Sequence, residues 1–355
     1  MLGKGLSHGA RQVDAVVIPF ERAARAARAA MPDDDPVETV GLDEPADGLL
    51  GESEPLLPAT GTTATVSDEE LMRLAADVGL IRHVEPLVRL ARRSVRLTPG
   101  DGAPAAGARS RLGGAPDLPF GAVWPRWEDR PLTFLGQVDL AEAHALGLDP
   151  LLPPAGLLLI FSALERVPAG SSPLDRDATR LLYVAPERIP RDPGARIGAS
   201  APVTARALEL TVELSLPRVW SAEVQALGLD EAEQQLWEQI RRELAIAQGV
   251  EAWEAGEEPR SRHHLGGFAD EPRGDLAVAC ELAARGIDVG YGSPLAHPEA
   301  RRLGDAPARW RLLLQLSADE EAGWSFGRGR ERLYVLGPAD ALAAGDVEPV
   351  HALAR

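Results

Sequence analysis

Residues 110–119 read SRLGGAPDLP, and residues 263–272 read HHLGGFADEP. Two further stretches repeat in the same order. LTFLGQVDL at 132–140 is echoed by RLLLQLSAD at 311–319, and GLLLIFSA at 156–163 by ERLYVLGP at 331–338. Gly113 to Gly266 is a shift of 153 and Gln137 to Gln315 a shift of 178, so the second copy holds about 25 extra residues. An ordered, degenerate repeat of this length is the mark of a duplicated unit whose copies share a core. The expected halves are about 67–219 and 220–355.

The repeated segments are short apolar runs punctuated by glycine and proline, the pattern of strands. ATRLLYVA at 178–185 and LELTVELSL at 208–216 have the same character, and the second alternates, with Leu208, Leu210, Val212, Leu214 and Leu216 on one face. One long helix interrupts at 230–247, capped by Asp230. Strands before and after a helix, without regular βαβ alternation, predict an α+β, β-dominated fold with antiparallel sheets and a few helices. GDLAVACELAARG at 274–286 reads as a further helix in which Cys280 is a small buried hydrophobe.

Upstream of the repeat, Ser67 and Glu70 have capping-box spacing, and Leu71, Leu74, Ala75 and Val78 give that helix one apolar face. A second helix is expected around 84–97, placing Arg89, Arg92, Arg93 and Arg96 on one side unless the extended stretch SVRLTP breaks the stripe. Residues 1–66 read as a disordered, acidic, low-complexity tail. Their prolines, glycines and acids show no apolar period and cannot offset the entropy of ordering. The folded domain is expected at 67–355.

The chain has 355 residues, 45% of them hydrophobic and 26% charged, enough for one large domain. One lysine, Lys4, stands against 36 arginines, and Cys280 is the one cysteine. A P-loop lysine, a Schiff-base lysine, an internal disulfide and a cysteine zinc site are thereby excluded from 67–355. The arginine bias fits a high-GC bacterial genome. The net charge of −17 is uneven: 1–28 carries +3, 29–72 carries −12, and 73–355 the remaining −8. A mildly acidic domain argues against nucleic acid as a partner. No stretch approaches the ~20 apolar residues of a membrane span, and no export segment is visible, so a cytoplasmic location is expected.

Arg109, Arg111, Gly113, Gly114, Pro116 and Pro119, followed by Trp124-Pro125, resemble the opening of the YwqG-like family, bacterial domains of unknown function. Pro131, Phe134, Gln137, Asp139, Leu152, Pro153 and Gly156 resemble its next block. Leu312, Gln315, Gly323, Trp324, Phe326 and Gly327 resemble its C-terminal block. The resemblance spans about 67–355 and implies a β-dominated, duplicated fold with no established reaction. Gly267–Pro272 departs from the family's Gly-Tyr-Pro-x-x-x-Gln pattern, and Arg328 stands where an aspartate is usual.

Gln137 and Gln315 sit inside apolar strands, where a buried amide must satisfy several hydrogen bonds. They are expected either to tie down the neighbouring Gly-Gly loops or to clamp a ligand. Candidate binding residues are Arg111, Trp124, Gln137, Asp139, His263, Gln315, Asp319 and Trp324. No His-Glu-x-x-His, nucleophile elbow or dinucleotide fingerprint occurs, so no catalytic residue, metal or cofactor is expected. The leading expectation is a non-catalytic binding protein with a protein partner, and the family's genomic habit suggests neutralising or escorting that partner. The alternatives are an enzyme with a polar pocket between the halves, using Arg111, Asp139, Asp319 or His263, and a structural subunit of a larger assembly.

Overall fold

The computed structural model describes residues 66–355 apart from 171, 192–202, 249–262, 272, 291, 320–322 and 328–331. The expected tail therefore lies outside the described residues, save Val66.

Twelve strands are described: β1 (Arg92–Pro99), β2 (Arg111–Leu112), β3 (Arg126–Trp127), β4 (Arg130–Pro131), β5 (Thr133–Asp139), β6 (Leu157–Ser162), β7 (Thr179–Val184), β8 (Arg206–Ser215), β9 (His264–Gly266), β10 (Trp310–Ser317), β11 (Arg332–Pro338) and β12 (His351–Ala354). The described helices are α1 (Asp68–Val78), α2 (Val84–Leu90), α3 (Leu140–Ala145), α4 (Ala222–Gln225), α5 (Glu231–Ala247), α6 (Leu276–Ala284) and α7 (Ala339–Ala343). No helix among the described residues is long and apolar enough to cross a membrane.

Ten strands form one antiparallel sheet in the order β12-β11-β10-β9-β1-β8-β2-β5-β6-β7, while β3 and β4 make a separate hairpin. The β1–β8 ladder at its centre pairs Arg92 with Ser215 through to Pro99 with Leu208. β9 to β12 lie on one side of β1 and β8, β2, β5, β6 and β7 on the other, and the ladders of β1 to β8 and to β9 join the two groups. The sheet curls until it nearly closes. Val95, Leu97, Leu159, Phe161, Leu265, Leu314, Leu333 and Val335, drawn from both sides of the central pair, share one interior core. The segment before β7 reaches β12, where Ala354 N–H donates to Ala169 O at 3.2 Å. The His351 ring joins Gly170 O at 2.8 Å.

The helices cover what the curl leaves open. The Ser67–Glu70 capping box starts α1, and Asp230 with Glu233 starts α5 in the same way. Leu71, Leu74, Leu87, Trp237, Ile240 and Leu244 from α1, α2 and α5 bury the end of β8 through Leu214 and Leu216. The alternating face of β8 thus serves two clusters, since Leu210 belongs to the sheet interior. Beyond the reach of two-residue β2, the backbone of Leu214 is completed by Gln248, whose side chain bonds both its N–H and its C=O. On the other side, α6 lays Leu276, Ala279 and Cys280 on Trp310, Leu312, Tyr334 and Leu336. Burial pushes the Cys280 thiol far up, as its expected place in the core requires.

The expected helix over 84–97 is corrected. It stops at Leu90, Ala91 turns extended, and β1 begins at Arg92. A full ladder to β8 outweighs the local helical pattern, so the arginine stripe breaks. Adjacent Arg92 and Arg93 leave opposite faces of the strand, and Arg96 instead grips buried Glu213 at 2.7 Å.

The closure at β12 is pH-sensitive. Burial lowers the His351 pKa from its ordinary 6.5, and the charge of Arg176 acts the same way. The unfolded state therefore takes up the proton first as pH falls. Stability held in neutral His351 is complete above about pH 6.5 and is lost as pH falls from there toward the folded value. Amide hydrogen exchange at Ala352–Ala354, corrected for intrinsic rate, should accelerate between about pH 7 and pH 5.5. His351→Gln should flatten that slope, and protection that instead grows on acidification would contradict it.

Candidate functional site

Both glutamines lie two residues beyond a break in ladder register. The β5–β6 pairing shifts between Phe134 and Gly136, and the β10–β11 pairing between Leu312 and Leu314. A bulge re-aims the side chains that follow it. Gln137 then stands opposite Arg111 of β2, and Gln315 opposite His264 of β9.

Each fully buried amide closes on the aspartate of the neighbouring Gly-Gly loop. Gln137 Oε1 accepts the Asp117 N–H at 3.0 Å, while its Nε2 donates to Asp117 Oδ2 and to Arg109 O, both at 2.9 Å. Gln315 Oε1 accepts the Asp270 N–H at 2.9 Å, and its Nε2 donates to Asp270 Oδ2 at 3.2 Å. The donors of Gln137 are spent in full. The loops need the glycines. A Cβ on Gly113, whose φ is +57°, would lie 2.3 Å from Thr204 O.

Charge completes both clasps. Arg111 Nη2 meets Asp117 Oδ1 at 2.8 Å and also donates to Ala115 O at 2.6 Å. Around Asp270 stand Arg241 at 3.9 Å and the His264 ring at 3.9 Å. The Asp270 carbonyl accepts from Arg332 Nη1 at 2.7 Å and from the Tyr334 hydroxyl at 3.2 Å.

The remaining candidates fall into three places. His263, Asp319 and Trp324 come together: the His263 Nδ1 accepts the Ser317 N–H at 3.1 Å, leaving Nε2 3.5 Å from Asp319 Oδ2. Trp324 presents its indole to the His263 ring at 5.7 Å and donates to Ser317 O at 3.0 Å. Trp124 packs edge-on against Phe161 and donates to Leu132 O. Asp139 caps α3 through the Ala141 N–H. Arg111 is a buried ion-pair partner and Asp139 a helix cap.

A space that a ligand could enter lies elsewhere. A cavity of about 590 Å³ opens on the outer face of β10 and β11, between α6, the loop after β9 and the segment after β8. Its walls include Arg92, Arg218, Trp220, Phe268, Glu271 and Trp310. None of the eight sequence candidates lines it. The second clasp builds it indirectly, since Asp270 stands between wall residues Phe268 and Glu271. Trp310 is fixed by Glu281 of α6, whose Oε2 accepts its indole N–H at 2.9 Å. Burial raises the Glu271 carboxyl, helped by the charge of Asp275 and opposed by the Arg273 N–H. Burial lowers Arg218 to about 10, helped by Arg241, so it stays cationic at neutral pH.

Fold and clasps together define a β-dominated, nearly closed antiparallel sheet with an adjoining cavity. The family described as a domain of unknown function, DUF1963, matches residues 110–350, and the chain belongs to it. No curated protein matches the chain.

Cutting a clasp should cost stability. Gln137→Ala and Gln315→Ala each leave buried partners unsatisfied and should lose ~1–3 kcal/mol in urea unfolding. Arg111→Ala strands a buried carboxylate and should lose ~3–5 kcal/mol. A glutamine variant as stable as the parent would show that the amide is not closing its loop.

Proposed function

We propose that the chain is a non-catalytic binding protein of the YwqG-like type, with a protein as its partner and the cavity as the binding site. The observation that carries this reading is the cavity itself. Its volume lies within the range of small-molecule sites, room for a side chain or chain end of a protein partner, and aromatic and aliphatic side chains make up much of its wall. Proton transfer needs two groups in reach of one point. Of the carboxylates on the wall, Glu223 pairs with Arg92, and Asp305 stands exposed at the start of a 3₁₀ turn. His263 and Asp319 are not on the walls of this cavity, and the His263 ring lies against Trp324.

We further read the sheet as an internal duplication. The matching bulges, glutamines and clasped aspartates on either side of β1–β8 support that reading. An enzyme reading would rest on Glu271, whose raised pKa and place in a cavity are what a general acid requires.

Ala277→Trp fills the cavity from α6, and Glu271→Gln removes its buried acid. With the full chain as bait in extract of the native host, the parent should retain a defined partner by mass spectrometry. Glu271→Gln should retain it too, and Ala277→Trp should lose it at unchanged melting temperature. An unaltered partner set with Ala277→Trp, or a turnover abolished by Glu271→Gln, would overturn the proposal.

A further inference from the structure

Arg92 reaches the cavity from the first residue of β1. A guanidinium carries five N–H donors. Among the described residues this one makes a single hydrogen bond, 3.5 Å from Nη2 to Oε1 of Glu223. That length is the outer limit of a hydrogen bond. The Arg92 side chain is 19% exposed and that of Glu223 42%, so the cation is the more buried member of a loose pair. The Phe268 ring covers one face of the guanidinium, 3.9 Å from Cζ. Burial, reinforced by the like charge of Arg311 and opposed by the carboxylates of Glu223 and Asp149, lowers Arg92 to about 10, which still leaves it charged at neutral pH. A half-desolvated cation with so few partners is costly until an anion meets it.

The other walls set the rest of the ligand. Trp220 and Trp310 add flat apolar surface beside Phe268. Against the two cations Arg92 and Arg218 the walls set three carboxyl groups, Glu223, Glu271 and Asp305, so a doubly charged phosphate would meet more repulsion than a single charge. We propose that the cavity takes an organic monoanion, with a flat apolar body held against Trp220, Phe268 and Trp310 and a carboxylate received by Arg92. The inference rests on the cavity-binding reading above and names what that site selects. The same chemistry is offered by a free aromatic acid and by the terminal carboxylate of a partner ending in an apolar residue.

The test titrates the full chain with 8-anilinonaphthalene-1-sulfonate, an aromatic monoanion, and with its neutral relative N-phenyl-1-naphthylamine. Fluorescence should report one anion per chain. Arg92→Gln should weaken that anion about tenfold or more, the worth of a lost charge-assisted hydrogen bond. It should leave the neutral probe unchanged, and Arg92→Lys should restore part of the loss. Displacement by 3-phenylpropionate and by a short peptide ending in phenylalanine, but not by the amide of either, supports the proposal, and the tighter acid identifies the source. Equal anion affinity in Arg92→Gln at unchanged melting temperature, or displacement by amides as good as by acids, overturns it. Binding that ignores Arg92 defeats this inference alone, whereas a chain that takes up neither probe defeats the cavity reading as well.

Discussion

A primary amide buried in a sheet must place two donors and an acceptor, and Gln137 places two of these bonds on Asp117 of the loop leaving β2 and the third on Arg109 O just before it. The rest of the molecule is arranged around that requirement and its counterpart at Gln315. The loop must return to the strand it has just left, which calls for the left-handed glycines. Its aspartate must present both backbone N–H and carboxylate to one side chain. A carboxylate fixed in the core then needs a cation, and Arg111 supplies it at 2.8 Å. Each step follows from the cost of leaving the previous polar group unpaired.

This commitment of polar groups decides where binding can occur. The strand-borne residues that carry the most chemistry are occupied with one another. Their hydrogen bonds run inward, to loops and carbonyls, and their side chains are buried. Among the described residues, the outer face of β10 and β11 is open where α6 covers only part of the sheet. There the second clasp has an added consequence, since fixing Asp270 also fixes Phe268 and Glu271 on either side of it. The stability of the core and the shape of the cavity are thus set by the same side chain, Gln315.

Much of the fold was legible because strand and helix patterns here agree with packing. The apolar run Leu157–Phe161 is a strand buried on every side, and the capping boxes at Ser67 and Asp230 begin helices as read. The reading that Gln137 and Gln315 tie down the Gly-Gly loops matches their hydrogen bonds. The arginine stripe failed because local helical spacing competed with a long-range ladder that no window of sequence contains. The strand β12 and the helix α3 escaped notice because four to six residues carry too little periodicity. The cavity was missed for a different reason. Arg92, Trp220, Phe268 and Trp310 are distant in sequence, and none belongs to a chemical motif. One signal was present: Phe268 and Glu271 fall in Gly267–Pro272, where the chain departs from the pattern it resembles.

The claim that a buried amide and its aspartate act as one unit is tested most directly by a double-mutant cycle on Gln315→Met and Asp270→Ala. Unfolding free energies of the two single variants and the double variant give the coupling between the sites. If the clasp organises its loop, the double variant should recover ~1–3 kcal/mol relative to the sum of the singles. Additivity within ~0.5 kcal/mol would mean that the two side chains contribute independently, and the account of the sheet built on their pairing would be wrong.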